Sequence, residues 1–259
     1  MKILLIVLAL AACSHKPTCG AATTAATLPG VTTIHFPAGD GVTITADVYA
    51  PHPTSAPLIV LFHQARFSRG EYRTIAPRLN QLGFNAMAVD ARSGHETQGV
   101  GNETAASACA LGKPTNYVDA IPDLKAAVAQ AHTLATGKVL IWGSSYSSAL
   151  VLALGAELKA DAVISFSPGE YFDDQGKSKT WVAEQAKPLA VPVFIASAKS
   201  EATDWAPLAA AIDPKLVTTF VPTTAGHHGS SALLSAQPDA EAYWTAVTAF
   251  LKSFVAPGP

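Results

Sequence analysis

The stretch VLIWGSSYSSAL, residues 139–150, decides the fold prediction, because it joins an apolar run to a glycine and then to four serines within five positions. A serine can stand on a tight turn between a strand and a helix only if the residues two before and two after it are small, since the turn brings them together. Ser145 meets this condition, with Gly143 before it and Ser147 after it. The stretch therefore predicts a buried strand, a sharp turn that carries Ser145, and a helix.

The other three serines fail one of these requirements. Ser144 and Ser148 each have a large aromatic residue two positions before them. Ser147 has small neighbours but lies beyond the turn, inside the predicted helix. A serine that opens a helix is also typical of a simple helix cap, so the stretch by itself leaves Ser145 as either a nucleophile or a cap.

Strand-like and helix-like segments alternate on both sides of this turn. Two β-branched runs around residues 38–41 predict an N-terminal antiparallel hairpin, and residues 91–114 are predicted to be irregular. Further strands are predicted at 57–62, 84–89, 138–142, 161–166, 191–198 and 216–222, and helices at 72–82, 119–132, 147–158, 206–212 and 239–255. The alternation predicts an α/β fold with a mostly parallel sheet and helices on both faces. Ligands of such sheets bind at the carboxyl ends of the strands.

Two polar segments follow predicted strands at those carboxyl ends. Glu201 comes after strand 191–198, and a pair of histidines, His227 and His228, comes after strand 216–222. A serine, then an acid, then a histidine is the chain order of a catalytic triad on an α/β sheet. A histidine can take the serine proton near neutral pH, and a carboxylate can hold the imidazole in the required tautomer.

Other acids remain open at this stage. Asp204 lies close behind Glu201, and Glu170 follows the strand 161–166. A catalytic metal is not expected, because no cysteine or carboxylate stands at ligand spacing from the histidine pair.

These motifs resemble the α/β-hydrolase superfamily, and more narrowly its lidless, dienelactone-hydrolase-like and small-esterase branch. The resemblance covers roughly residues 35–255 and rests on 143–147, His63-Gln64-Ala65, Asp90-Ala91-Arg92, Glu201 and Gly226-His227-His228-Gly229. It implies an α/β-hydrolase fold with no cap domain and a serine hydrolase, of which a carboxylesterase working through an acyl-enzyme is the first expectation. The enzymes that name the dienelactone branch carry a cysteine nucleophile where this chain has serine, which argues against a dienelactone substrate.

The resemblance also assigns roles. Ser145, His228 and Glu201 form the triad, and His228 is preferred to His227 because the family base precedes a glycine. The backbone N–H groups of Ala65 and Tyr146 form the oxyanion hole. Four side chains are candidates for the substrate pocket, with Arg66 able to hold a carboxylate and the aromatics able to form apolar walls: Gln64, Arg66, Phe67 and Trp205. Arg69, further along the same segment, could hold a carboxylate in the same way, and surface charge is the alternative for both arginines.

The fold and the triad do not determine which class of acyl compound is the substrate. A peptidase, an amidase or an acyltransferase with the same triad is therefore an alternative, and so is an inactive hydrolase-fold lipoprotein that only binds. No cofactor is expected, and the substrate is expected to be a small-molecule or polymer-end ester.

The first residues predict export. Residues 1–12 have the charge, apolar run and small residues of a signal peptide, and residues 10–13 resemble a bacterial lipobox ending at Cys13. The expectation is a lipid anchor on Cys13, a flexible tether over residues 13–30, and a hydrolase domain over 31–259. Ser14 favours a cell-envelope lipoprotein of the outer membrane that faces the periplasm. An ordinary signal-peptidase site with an incidental thiol is the alternative.

Composition limits the remaining classes. Of 259 residues, 14% are charged against about 25% on average, and the net charge is −2 with no block of basic residues. Nucleic acid is therefore not expected as a partner, and we expect one domain and a monomer. An oxidising compartment would permit a disulfide between Cys19 and Cys109.

Overall fold

In the computed structural model, which describes residues 28–255, an eight-stranded sheet lies between two layers of helices. The strands along the chain are β1 (Val31–Pro37), β2 (Thr43–Tyr49), β3 (Leu58–Phe62), β4 (Asn85–Val89), β5 (Glu96–Thr97), β6 (Val100–Gly101), β7 (Val139–Ser144), β8 (Ala162–Phe166), β9 (Val193–Ala196) and β10 (Val217–Phe220). Strands β5 and β6 pair separately, and the order in the main sheet is β1-β2-β4-β3-β7-β8-β9-β10. Within this eight-stranded sheet, only β1 with β2 and β2 with β4 pair antiparallel, which confirms the mostly parallel sheet with an N-terminal hairpin.

Within residues 28–255, seven α-helices flank the sheet. They are α1 (Ile75–Gln81), α2 (Glu103–Ala110), α3 (Ile121–Leu134), α4 (Tyr146–Leu154), α5 (Trp181–Ala186), α6 (Ala202–Ala210) and α7 (Ala240–Leu251). Buried residues of α2 to α6 belong to one hydrophobic cluster, and those of α1 and α7 belong to the other. The helices therefore cover both faces of the sheet, as the sequence predicts, and the chain has the α/β-hydrolase fold.

The central strands are apolar on both sides because each face supplies one of these clusters. In β3, Val60 and Phe62 pack into the first cluster, whereas Ile59 and Leu61 pack into the second. All five residues of this strand are buried. Successive side chains of a strand point to opposite faces, so a strand buried on both faces is a continuous apolar run.

Two local predictions were wrong. The stretch 91–114 is not irregular throughout, since it contains the β5–β6 hairpin and α2, whose N-terminus is capped by Asn102 through a hydrogen bond from Ala105 N. The small residues of α2 give it little apolar periodicity, so a pattern search misses it. Helix α6 begins at Ala202, four residues earlier than predicted, and Pro207 lies inside it.

Between β8 and β9 the chain forms a 3₁₀ turn, Asp173–Gln175, and the short helix α5. Within residues 28–255 this segment is too short to build a cap domain over the sheet edge. None of the helices in the same range is long and apolar enough to cross a membrane.

The predicted signal peptide, Cys13 and most of the tether lie outside the described residues. Cys109, in α2, is disulfide-bonded. Because Cys13 and Cys19 both lie outside the described range, the pairing of Cys19 with Cys109 stays a prediction.

A buried arginine joins the N-terminal hairpin to α3. Arg92 forms ion pairs with Asp123 at 2.6 Å and with Asp40 at 2.7 Å, and Asp123 also accepts the Arg92 backbone N–H at 2.8 Å.

Asp123→Asn preserves the size of the side chain but removes one of the two carboxylates that neutralise the buried guanidinium of Arg92. We therefore expect the free energy of unfolding to fall by about 3 kcal/mol. Urea denaturation measures this change, and a loss below about 1 kcal/mol would contradict it.

Candidate active site

Ser145 lies on the turn between β7 and α4. Its backbone has φ 58° and ψ −123°, a conformation that costs energy for any residue with a side chain. Ser145 N donates to Phe166 O on the neighbouring strand β8 at 2.8 Å, and the residue is only partly buried. The turn therefore holds the hydroxyl of Ser145 at the carboxyl edge of the sheet, where it is accessible.

The neighbours of Ser145 explain why this turn can form. A Cβ on Gly143 would overlap the backbone of Ser147 and Ser148, so only glycine fits there. Ser147 is small enough for the same approach, and its Oγ accepts Ser144 N–H at 2.9 Å and lies 2.8 Å from Phe62 O. The second small residue of the turn thus also ties it to β3.

His228 and Glu201 form a hydrogen-bonded pair. His228 Nδ1 lies 2.6 Å from Glu201 Oε1, while Glu201 Oε2 accepts the Ser167 hydroxyl at 2.6 Å and Ala198 N–H at 3.2 Å. Burial raises the pKa of Glu201, but the hydrogen bonds from His228 and Ser167 outweigh it and hold this pKa below its usual value. An ionised carboxylate only accepts, so Nδ1 carries the proton and His228 Nε2 is left as the base.

Two hydrogen bonds join the histidine loop, residues 226–230, to the strand ends beside Ser145. Gly229 N donates to Ser167 Oγ at 2.8 Å, and Ser230 N donates to Ser144 Oγ at 2.8 Å. Ser144 directly precedes Ser145, and Gly229 directly follows His228. The loop that carries His228 therefore lies against the turn of Ser145, and the three predicted triad residues follow the carboxyl ends of β7, β9 and β10.

The alternative candidates for the triad acid and base either bond to other groups or are exposed to solvent. Glu170 accepts the N–H groups of Val182 and Ala183 at the start of α5, at 2.8 and 2.9 Å. Asp204 is exposed on α6, and its carboxylate makes no hydrogen bond with any residue in the described range. His227 is exposed beside the partly buried His228. The structure brings Glu201, and neither of the other two acids, to His228.

The loop predicted to supply one oxyanion-hole N–H, residues 63–67, is called the oxyanion loop here and is held by hydrogen bonds of His63. His63 is fully buried, its Nδ1 lies 2.8 Å from Gln64 O, and its Nε2 accepts Ala91 N–H at 2.9 Å. Burial lowers the pKa of His63 to about 4, so the ring is neutral and its two hydrogen bonds fix the loop in place. Within residues 28–255, the N–H groups of Ala65 and Tyr146 donate to no other protein group, which leaves both free for a ligand.

The predicted pocket residues fall into two groups. Arg66 is exposed with a positive φ of 66°, and Gln64 and Phe67 are partly buried on the same loop. Trp205 is only 6% exposed, packs in the core, and donates its indole N–H to Ser197 Oγ at 2.7 Å. Its place is therefore in the core beneath α6 and not on an open pocket wall.

Arg69 has no freedom to bind a substrate. It is 4% exposed and forms ion pairs with Asp90, Asp47 and Glu103. The surface-charge alternative considered for it is wrong as well, because the guanidinium is buried within these carboxylates.

Sequence reasoning missed three residues at this site. Ser167 has a positive φ of 57° and bridges Glu201 to the histidine loop. Tyr171 donates to Ser167 O at 2.8 Å, and its hydroxyl interacts with the Ser145 side chain. Glu71 is a buried carboxyl that contacts Ser144. None of the three stands in a motif, although the position of Ser167 directly after β8 places it at the functional edge.

Comparisons with known proteins support the fold. No family model and no curated protein matches the chain. An esterase of Pyrococcus furiosus is 18% identical with a TM-score of 0.65, over 87% of this chain and 93% of that one. A lidless α/β serine hydrolase of Xanthomonas campestris is 14% identical with a TM-score of 0.59, over 90% and 99%. A dienelactone hydrolase of Anabaena variabilis is 15% identical with a TM-score of 0.60, over 87% and 98%.

Proposed function

We propose that this protein is a serine hydrolase whose substrates are carboxylic esters. The observation that carries the proposal is the 2.6 Å hydrogen bond between His228 and Glu201, together with Ser145 on a turn with strained backbone. Strained backbone at an accessible serine indicates function more than folding, because it costs stability. A helix cap would not need this conformation, and within the described residues the Ser145 side chain makes no cap hydrogen bond.

The geometry supports acyl transfer in two halves. His228 Nε2 takes the proton as Ser145 Oγ attacks the ester carbonyl, and Glu201 stabilises the imidazolium. The negative carbonyl oxygen binds the N–H groups of Ala65 and Tyr146, each worth about 3 kcal/mol when it is removed. His228 then protonates the leaving alkoxide, and water cleaves the acyl-enzyme by the same steps in reverse order.

Three observations favour an ester over an amide or an acyl acceptor other than water. No cap domain covers the sheet edge within residues 28–255, which favours access of water to the acyl-enzyme. The structural neighbour in Pyrococcus furiosus is an esterase. Arg66 is exposed and Phe67 only partly buried on the oxyanion loop, which suits a small or polymer-end ester. The proposed mechanism requires no cofactor.

Fluorophosphonate labelling with mass mapping tests the proposal. The probe should modify Ser145 in the wild-type protein and should fail to label Ser145→Ala and His228→Ala, since both the nucleophile and its base are needed. No adduct on a folded sample would support the alternative of a binding protein. A matched p-nitrophenyl ester and p-nitroanilide of the same acyl group separates an esterase from an amidase.

We also propose, from the sequence of residues 1–13, that Cys13 carries a lipid anchor at the cell envelope. Cys13→Ala should release the protein from membranes into the soluble fraction of the exporting cell, because the protein would lose its acyl chains. Fractionation followed by immunoblotting measures this shift. A variant that stays with the membranes would overturn the proposed anchor.

A further inference from the structure

Glu71 is a buried carboxyl that the proposed mechanism does not use. It lies in the 3₁₀ turn Arg69–Tyr72 and is 1% exposed. Its Oε2 accepts Gln64 N–H at 2.8 Å, and its Oε1 accepts the Ser144 hydroxyl at 2.9 Å. Burial of a carboxylate charge costs stability, so a buried carboxyl indicates a specific role.

The contacts of Glu71 join the three loops of the site. Gln64 belongs to the oxyanion loop, and Ser144 belongs to the turn that carries Ser145. Ser144 Oγ in turn accepts Ser230 N–H of the histidine loop at 2.8 Å. One carboxylate and one hydroxyl therefore connect all three segments through hydrogen bonds of ordinary length.

The same contacts set the direction of the Ala65 N–H. The peptide between Gln64 and Ala65 is planar, so its N–H points opposite to its C=O. His63 holds that carbonyl at 2.8 Å, and Glu71 holds the preceding N–H of Gln64 at 2.8 Å. With both sides of Gln64 fixed, the Ala65 N–H cannot rotate without breaking a buried hydrogen bond.

We infer that Glu71 is a positioning residue that aims the Ala65 N–H at the reacting carbonyl oxygen and fixes the oxyanion loop against the turn of Ser145. The inference rests on the proposed function for its kinetic consequence, but the placement of the Ala65 amide can be tested without activity.

The hydrogen bonds fit the ionised form of Glu71. Ser144 accepts from Ser230, so its own proton goes to Glu71, and both carboxylate oxygens receive a donor. Burial raises the pKa of Glu71 to about 7 against the opposing effect of Gln64, Ser144 and His228. The other titratable groups around it, His63, Tyr72 and Tyr146, are neutral near this pH, since burial lowers the pKa of His63 and raises those of both tyrosines.

Stability and activity should therefore respond in opposite directions. A raised pKa means that the folded state gains stability at low pH, below about 4.5, and loses it as pH rises through about 7. Glu71→Gln removes this loss and should melt no lower than the wild type near pH 8. A side chain with a purely structural role would instead lower the melting temperature when it is replaced.

The kinetic experiment compares Glu71→Gln with the wild type on a p-nitrophenyl ester near pH 8. We expect kcat to fall about 10- to 100-fold, with KM changed by less than about threefold, because the donor is misplaced only for the transition state. Asp123→Asn is the control: it also neutralises a buried carboxylate that accepts a loop N–H, and it should lower the melting temperature with little change in kcat.

The activity-independent experiment uses protein labelled with ¹³C-carbonyl glutamine and ¹⁵N-alanine. Only three Gln-Ala pairs occur in the chain, 64–65, 130–131 and 185–186, so a carbonyl-selected amide spectrum has three signals. In Glu71→Gln the Ala65 signal should shift or broaden, while those of Ala131 and Ala186 in α3 and α5 stay in place. An unmoved Ala65 signal, or an unchanged kcat in an active wild type, overturns the inference. A wild type that hydrolyses neither ester nor amide counts against the proposed function, and the amide spectrum then decides the role of Glu71 alone.

Discussion

Ser145→Ala should lower kcat for ester hydrolysis by at least about 10⁴-fold, with the melting temperature nearly unchanged. The hydroxyl is the only atom group removed, and alanine accepts the same tight turn because the small neighbours Gly143 and Ser147 remain. The loss is large because the triad acts as a unit, so removal of the nucleophile leaves only the binding and the oxyanion hole. Steady-state kinetics with a chromogenic ester, together with a thermal melt, measure both quantities.

Ser148→Ala is the matched control for this change. Ser148 lies on the same stretch, and its hydroxyl bonds to the Ser145 carbonyl at 2.5 Å, inside the first turn of α4. Its loss should lower kcat by no more than about tenfold, since the chemistry does not use this hydroxyl. If Ser145→Ala keeps as much activity as Ser148→Ala, the nucleophile lies elsewhere and the proposed function fails.

The parts of the fold that follow from local rules could be predicted from the sequence. Strands β3 and β7 are short apolar runs because both faces of the sheet are covered, and this pattern is visible in one dimension. The turn at Ser145 was predicted because its steric demand on Gly143 is also local. Chain order then placed Glu201 and His228 at neighbouring strand ends, which is where the structure has them.

The parts that depend on tertiary burial could not be predicted in this way. Glu71 stands in a polar segment, SRGEYR, and nothing in its neighbours separates a buried carboxyl from a solvated one. Trp205 stands one residue before the predicted helix 206–212, so the sequence placed it on a loop. Because α6 begins at Ala202, Trp205 is a helical residue and shares the buried face of α6 with Leu208. Arg69 looked like a surface charge because its partners Asp47, Asp90 and Glu103 come from three distant segments.

Glu201→Gln should lower kcat by about 10⁴-fold while leaving the overall fold intact. The two oxygens of Glu201 face different donors: His228 Nδ1 on one side, and Ser167 and Ala198 on the other. A glutamine that turns its amide N–H₂ toward His228 forces the proton onto Nε2, which destroys the base. A glutamine turned the other way points N–H₂ at the Ala198 N–H, so the hydrogen bonds at Oε2 are lost and the imidazole is held less firmly.

Glu170→Gln separates this effect from the general loss of a carboxylate. Glu170 caps α5, so its replacement should cost about 1 kcal/mol of stability and leave kcat within about twofold. Equal kinetic losses in the two variants would mean that Glu201 is not the triad acid.

The dependence of the Glu201 effect on pH gives an independent check of its ionised state. Because the pKa of Glu201 is lowered in the folded protein, its contribution to stability is present above the ordinary carboxyl pKa and is lost as pH falls through the lowered value. The melting temperatures of the wild type and Glu201→Gln should therefore differ at neutral pH and converge in acid. If the two melting temperatures differ by the same amount down to about pH 3, the carboxylate is not stabilised by His228 and Ser167. The assignment of His228 as the base would then be wrong as well.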